Sequence, residues 1–139
     1  MATFVKFDCF LEDLAEKVHN LGSDSLVMAL TNTAPTASTD DELSDISQIS
    51  YTNLSSRAIS ITSSAQTSGT YKLTLTDLTL TASGAVSTWQ YGVIYNDTAS
   101  NDELIGYIDA GEAITMANGH TFTFNFDDSN GLFTIALAA

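Results

Sequence analysis

The chain has little of several things, and each shortage excludes something. Cys9 is its only cysteine, so no disulfide can close within the chain, and the fold must stand on its core or on partner subunits. Only four residues are basic (Lys6, Lys17, Arg57 and Lys72), against 17 acidic ones, for a net charge of -13. Four scattered cations cannot build the patch that a phosphate backbone needs, so the composition argues against nucleic-acid binding and against docking on an anionic membrane. No stretch approaches the ~20 apolar residues of a membrane-spanning helix. The opening MATFVKFDCFLEDLAEKVHN carries acids inside its apolar periodicity and does not read as a secretory signal. The eight glycines are scattered among turns, with no loop that cradles phosphate. What remains is a hydrophobic fraction of 44% in 139 residues, enough for the core of a single domain. The acidity fits a soluble surface that repels DNA and its own copies until specific contacts form; it fits a saline habitat equally well.

Period-two alternation dominates from Arg57 onward. Tyr71–Thr76, Leu78–Ala82 and Trp89–Tyr95 each alternate apolar and polar residues, which requires an antiparallel sheet with one buried and one wet face. Leu78 and Leu80 fall on the opposite parity to Tyr71, Leu73 and Leu75, which predicts a bulge or kink at Thr76-Asp77. Trp89, Tyr91, Val93 and Tyr95 are expected on one strand face. Leu104–Asp109 and Glu112–Met116 read as short strands around Ala110-Gly111. Asn118-Gly119 signals a hairpin. His120, Phe122, Phe124 and Phe126 share a face, and Asp127 to Gly131 turns the chain into a last strand, Leu132–Leu137.

Before Arg57 the pattern differs. Phe4, Phe7, Phe10, Leu11, Leu14, Val18 and Leu21 recur at spacings of three and four, so residues 4–20 are expected to form an amphipathic helix that Gly22 ends, with residues 1–22 as an N-terminal helical segment. The LVMALT run, Leu26–Thr31, reads as a buried strand. Residues 32–56, opening at Pro35, read as an irregular arm, in which Thr39 and Glu42 match a capping box for a short helix edged by Leu43, Ile46 and Ile49. The expected architecture is mainly β: one domain over 1–139, an antiparallel β-sandwich or flattened barrel built from 57–139, with an N-terminal amphipathic α-helix. The helix face of Phe7, Phe10, Leu14 and Val18 should serve the core or a neighbouring subunit. With Pro35, Leu43 and Ile46 it forms the candidate interface.

The residues offer no reactive constellation, so the chain does not read as an enzyme, and no cofactor, catalytic residue or metal ligand is expected. His19 and His120 lack a motif that joins them to a nucleophile and an acid. Asp127, Asp128 and Asn130 have the hard oxygens that Ca²⁺ takes, but also the residue types that turns prefer for backbone reasons. Asp40, Asp41, Glu42 and Asp45 fit a helix start. Cys9 lies near Glu12, Asp13 and Glu16, which disfavour a thiolate. Trp89 with Tyr91, Tyr95 and Tyr107 would be a glycan-stacking platform if exposed and core if buried.

Several blocks carry a resemblance. F-x-x-F-x-x-D-L-A-x-K-V-H-N-L-G-S-D-S-L from Phe7 to Leu26 and ALTNTAP from Ala29 to Pro35 resemble small virion proteins of tailed bacteriophages. SSAQTSGTYKL (Ser63 to Leu73), LTASG (Leu80 to Gly84), YGVIYND (Tyr91 to Asp97) and LIGYID (Leu104 to Asp109) resemble the same group in the same order. The resemblance implies a capsid decoration, or cement, protein on the outer surface of the virion, with the major capsid protein and further copies of itself as partners and a homotrimer favoured. A tail-associated module that binds a host glycan is the alternative. Around Leu54–Arg57, where the resemblance implies a glycine-rich turn, this chain has NLSSRA.

Overall fold

The computed structural model describes residues 3–138. In chain order the strands are β1 (Phe4–Lys6), β2 (Leu26–Thr31), β3 (Ala58–Ile59), β4 (Ile61–Thr67), β5 (Thr70–Leu75), β6 (Leu78–Thr81), β7 (Val86–Asn96), β8 (Leu104–Met116), β9 (Thr121–Phe124) and β10 (Phe133–Ala136). One α-helix, α1 (Cys9–Ala15), and a 3₁₀ turn, Leu43–Asp45, complete the set. All pairings between strands are antiparallel: a five-stranded sheet in the order β1-β8-β7-β2-β3, a three-stranded sheet β10-β5-β4 and a two-stranded sheet β6-β9. The mainly β, sandwich-like architecture expected from the sequence is the one observed.

The two small sheets cover one face of the large one. Leu26, Met28, Leu30, Ile94 and Ile105 from the large sheet meet Leu73, Leu75, Leu80, Phe124 and Phe133 in the main core. The other face has its own apolar cluster, in which Phe7, Ala29, Val93, Tyr95 and Leu104 lie beneath Ile46 and Leu43. Strand β2 is therefore buried on both faces, which is why it is an unbroken apolar run.

Several elements differ from the sequence reading for identifiable reasons. Residues 4–6 are an edge strand, not the start of a helix: Phe4, Val5 and Lys6 pair with Ile108, Tyr107 and Gly106, and Phe and Val suit a pleated strand as well as a helix stripe. The helix has only seven residues. It ends where Lys17 takes φ 72°, with N–H groups of Lys17 and Val18 donating back to the carbonyls of Leu14 and Asp13, a Schellman arrangement. The left-handed residue is thus Lys17 and not Gly22. Leu11, assigned to the apolar stripe, is 60% exposed.

Strand β7 changes face along its length. Register shifts on either side of Trp89 put its side chain in the main core, whereas Val93 and Tyr95 lie in the opposite cluster. The two short strands expected around Ala110-Gly111 are one strand, β8, with Gly111 at φ 88° inside it. At Thr76-Asp77 the parity break marks a change of sheet, since β5 and β6 belong to different sheets. Asn118-Gly119 does make a tight turn, with His120 N–H donating to the Ala117 carbonyl, but it joins β8 to a strand of another sheet and is not a hairpin.

Residues 32–56 are irregular, as expected, but they are fastened to the domain along their length. The N–H groups of Asp8 and Leu104 donate to the carbonyls of Ala37 and Asp41 (2.9 and 3.0 Å), Leu43 donates to Asp102 (3.1 Å) and Ile49 to Leu30 (3.0 Å). Thr31 Oγ1 donates to the Ser47 carbonyl at 2.7 Å, and Tyr51 Oη accepts from Leu30 N–H at 3.0 Å. The capping interaction sits three residues later than Thr39: Asp45 Oδ2 accepts from the N–H groups of Asp41 and Glu42. The segment is a folded cover over the second face of the sheet, and Ile46, 8% exposed, is its plug. Truncating it by Ile46→Ala is expected to destabilise the monomer by about 2–5 kcal/mol. Urea unfolding followed by circular dichroism checks this, and an unchanged midpoint would mean that the segment is not part of the folding unit.

Candidate functional site

The most organised polar cluster joins the end of the helical segment to the end of β7. Asn96 is fully buried. Its Oδ1 accepts the N–H groups of Thr98 (2.9 Å) and Ala99 (3.2 Å), which orients the amide. Its Nδ2 therefore points the other way, donating to Asp24 Oδ2 at 2.7 Å and lying 3.0 Å from His19 Nδ1. Because an amide NH₂ can only donate, His19 must accept at Nδ1 and carry its proton on Nε2. Nε2 is buried without a hydrogen-bond partner among the described residues, and the ring lies beside Phe10 with centroids 5.4 Å apart. Asp24 Oδ2 also accepts the N–H of Asn20 at 2.8 Å. The cluster borders an open groove of about 690 Å³ with Val18, Ser64 and Tyr71 among its walls.

This arrangement positions the chain and holds no catalytic set. A triad needs an acid on one imidazole nitrogen and a nucleophile on the other. Here Asp24 reaches the imidazole only through Asn96, and Nε2 faces no hydroxyl. Burial pushes the His19 pKa down, although Glu103 and Asp24 pull it up. The other histidine, His120, is exposed, and its Nδ1 accepts the Ala117 N–H at 3.2 Å.

Cys9 is the opposite of an activated thiol. Burial, then the charges of Asp13 and Asp41, push its pKa up to about 12. Its Sγ lies 3.6 Å from the Asp41 carbonyl. Burial and repulsion from Glu103, Glu12 and Asp41 raise the Asp13 pKa. Burial and the charges of Asp97 and Glu103 raise that of Asp102. Among the described residues no group of three or more His, Cys, Asp or Glu side chains is arranged to hold a metal ion. Asp127 closes an Asx turn instead: its Oδ1 accepts the N–H groups of Ser129 (2.8 Å) and Asn130 (2.9 Å), and those bonds, with the one from the Asn130 side chain, hold its pKa low.

The aromatic residues do not form a platform. Trp89 is fully buried, its ring 4.8 Å from Phe122 and 5.6 Å from Phe124 by centroids. Tyr95 is buried in the opposite cluster, and Tyr91 and Tyr107 are half-buried. The basic residues lie on separate elements. Arg57 donates to the Met28 carbonyl at 2.7 Å and stacks 3.5 Å above the Tyr51 ring, while Lys72 Nζ donates to the Ser129 carbonyl at 2.9 Å.

The candidate interface residues divide. Phe7 and Phe10 are fully buried and Ile46 nearly so, all within this chain, so they serve the monomer core rather than a partner. Leu14, Val18, Pro35 and Leu43 are half-buried. The sequence reading passed over a second groove, of about 480 Å³, beside β9, with Phe4, Ile108, Phe122, Phe126 and Leu132 among its walls. The signal for it is the aromatic run Phe122, Phe124 and Phe126, which the sequence places on one strand face without showing a groove beside it.

The His19 geometry has a pH consequence. The folded pKa lies below the unfolded one, so the unfolded chain binds more protons once pH falls under the ordinary histidine value of about 6.5. The stability contributed by the neutral ring is complete above that value and is lost as pH falls toward the folded pKa. Thermal melts should show the midpoint dropping as pH falls below the ordinary histidine value, and His19→Gln should flatten the drop. An equal drop in both proteins would place the titrating group elsewhere.

Compared with protein-family models, curated proteins and solved structures, the chain matches none.

Proposed function

We propose that this chain is a decoration, or cement, protein of a tailed-bacteriophage capsid. It binds the outer shell, contacts the major capsid protein, and reinforces the head as a symmetric homo-oligomer, with a trimer favoured by three-fold lattice sites. The observation that carries the reading is the ordered set of sequence blocks resembling small phage virion proteins. In the fold these blocks are the framework: Phe7 to Leu26 and Ala29 to Pro35 run through α1 and β2, Ser63 to Leu73 lies in β4 and β5, and Tyr91 to Asp97 ends β7 at Asn96. A resemblance concentrated in the residues that hold a domain together suits a structural role. Where NLSSRA stands in place of a glycine-rich turn, Arg57 supplies its own contact by stacking on Tyr51.

The chemistry is compatible. The histidines, Cys9 and Asp127 are engaged in structural contacts, which favours a non-enzymatic role. The net charge of -13 disfavours a position against packaged DNA. Burial of Trp89 and Tyr95 weighs against the alternative of glycan adhesion at the tail. Repeated weak contacts on a symmetric lattice gain strength through multivalency.

Particles lacking this protein are expected to release DNA at a lower temperature, or under milder osmotic shock, than complete particles, and added protein should restore them. Equal robustness with a failure to attach to host cells would favour the tail-associated alternative. Electron-microscopy density for the protein on the tail would reject the capsid role.

A further inference from the structure

A sheet edge is an open row of N–H and C=O groups, and proteins usually obstruct it. Most edges here are obstructed. Strand β1 has three residues and carries Lys6, and β3 has two. Strand β4 is broken by a register shift between Ile61 and Ser63. The outer edge of β6 is occupied by Ser55, whose N–H donates to the Thr81 carbonyl at 3.0 Å and whose Oγ accepts the Thr81 N–H at 2.8 Å. Among the described residues, strands β9 and β10 are the exceptions. Each ends its sheet, and neither carries a charge, a proline or a bulge.

Strand β9 also has a groove beside it. Five consecutive residues, Phe122 to Phe126, line it, so it faces the backbone edge as well as side chains of both parities. Phe4, Ile108, Ala110 and Leu132 complete its apolar walls, and Asp127 also lines it. Strand β10 has the complementary property. Of the three large hydrophobic side chains exposed among the described residues, Ile135 (39%) and Leu137 (88%) are at β10 and just beyond it.

Charge selects the occupant. Two copies at -13 each repel in most orientations. Between Met116 and Phe126, and again from Gly131 to the end of the chain, no Asp, Glu, Lys or Arg occurs. Contact between these two stretches brings together strand edges that carry no charge of their own, with Asp127 the one charged residue in the groove's lining.

We propose that the free edge of β9 and its groove receive β10 and Leu137 of a second copy. The contact would join the two-stranded sheet of one molecule to the three-stranded sheet of the next as one continuous sheet, the strand-addition mode of recognition. Because it uses two different surfaces, it is heterologous, and successive contacts close into a ring or run on as a filament. The inference rests on the part of the proposed function that has copies assembling with one another, and it names the surface.

Sedimentation or light scattering on the full chain tests it, with Leu137→Glu and Asn125→Glu as variants. Both residues are exposed, so each variant should melt like the parent. The parent should self-associate, more strongly as salt screens its charge. Each variant alone should lose the oligomer. An equimolar mixture should recover a dimer and nothing larger, because one intact β9 edge and one intact β10 remain between the two chains. A parent that is monomeric up to millimolar concentration, a Leu137→Glu variant that still associates, or a mixture that stays monomeric would overturn the contact. Binding of a monomeric parent to purified shells would still support the capsid role, so the two failures are distinguishable.

Discussion

Every layer of this fold answers to one constraint: the central strands of the five-stranded sheet are apolar on both faces. Leu26, Met28 and Leu30 point one way and Ala29 the other, and Val93 and Ile94 repeat the division on the neighbouring strand. A sheet of this kind is stable only if both faces leave water, at about 1.5–3 kcal/mol for each large aliphatic side chain buried. One face is covered by two small sheets. The other, among the described residues, is covered by a loop and not by a sheet. A loop over a core must still satisfy its own backbone. That requirement explains why residues 32–56 are tied down by bonds to Leu30, Asp102 and Leu104, on strands and turns far apart in sequence.

The same constraint explains which parts of the fold were legible in the sequence. Strand β2 is read with its observed bounds because a short unbroken apolar run has few other solutions in a β context. The turns at Asn118-Gly119 and Asp127 are marked by local residue chemistry, although the first does not close the hairpin that its residues predict. What local pattern cannot carry is which sheet a strand joins. The parity break at Thr76-Asp77 looks the same for a bulge as for a crossing between sheets. The face of Trp89 depends on register shifts against β8, a partner that begins fifteen residues later. The apolar stripe overstates the helix because Phe4, Phe7 and Phe10 keep a three-residue spacing across an edge strand, a connection and a helix. Its stop is a Schellman turn at Lys17, a residue type that gives no warning of positive φ.

At the polar cluster, the sequence singles out His19 but neither Asp24 nor Asn96, and nothing in it shows their association. His19, Asp24 and Asn96 come together only because the chain leaving α1 packs against the end of β7, 72 to 77 residues away. Once Asn96 Oδ1 is committed to the turn at Thr98 and Ala99, the donor directions follow in sequence, ending with a proton on a buried His19 Nε2. A polar group stranded in this way is a cost that the fold tolerates. It is consistent with a cluster that locates two chain segments relative to one another.

The distribution of charge matters more for assembly than its total. Of the 17 acidic residues, only Asp109 and Glu112 lie within strands; the others occupy the helix, the turns and the loops. The exposed strand faces are instead dressed with hydroxyls, as in the cross-strand pairs Thr62 with Thr76 and Thr79 with Thr123, each 2.9 Å apart. Threonine suits a pleated, solvated surface without adding charge. Repulsion between copies is therefore concentrated at the loops and the helix, while contacts along the sheets meet little opposition. Like charges dominate random encounters between two such molecules. The orientations that bring strand edges together meet the least opposition, and the proposed assembly draws its selectivity from that difference.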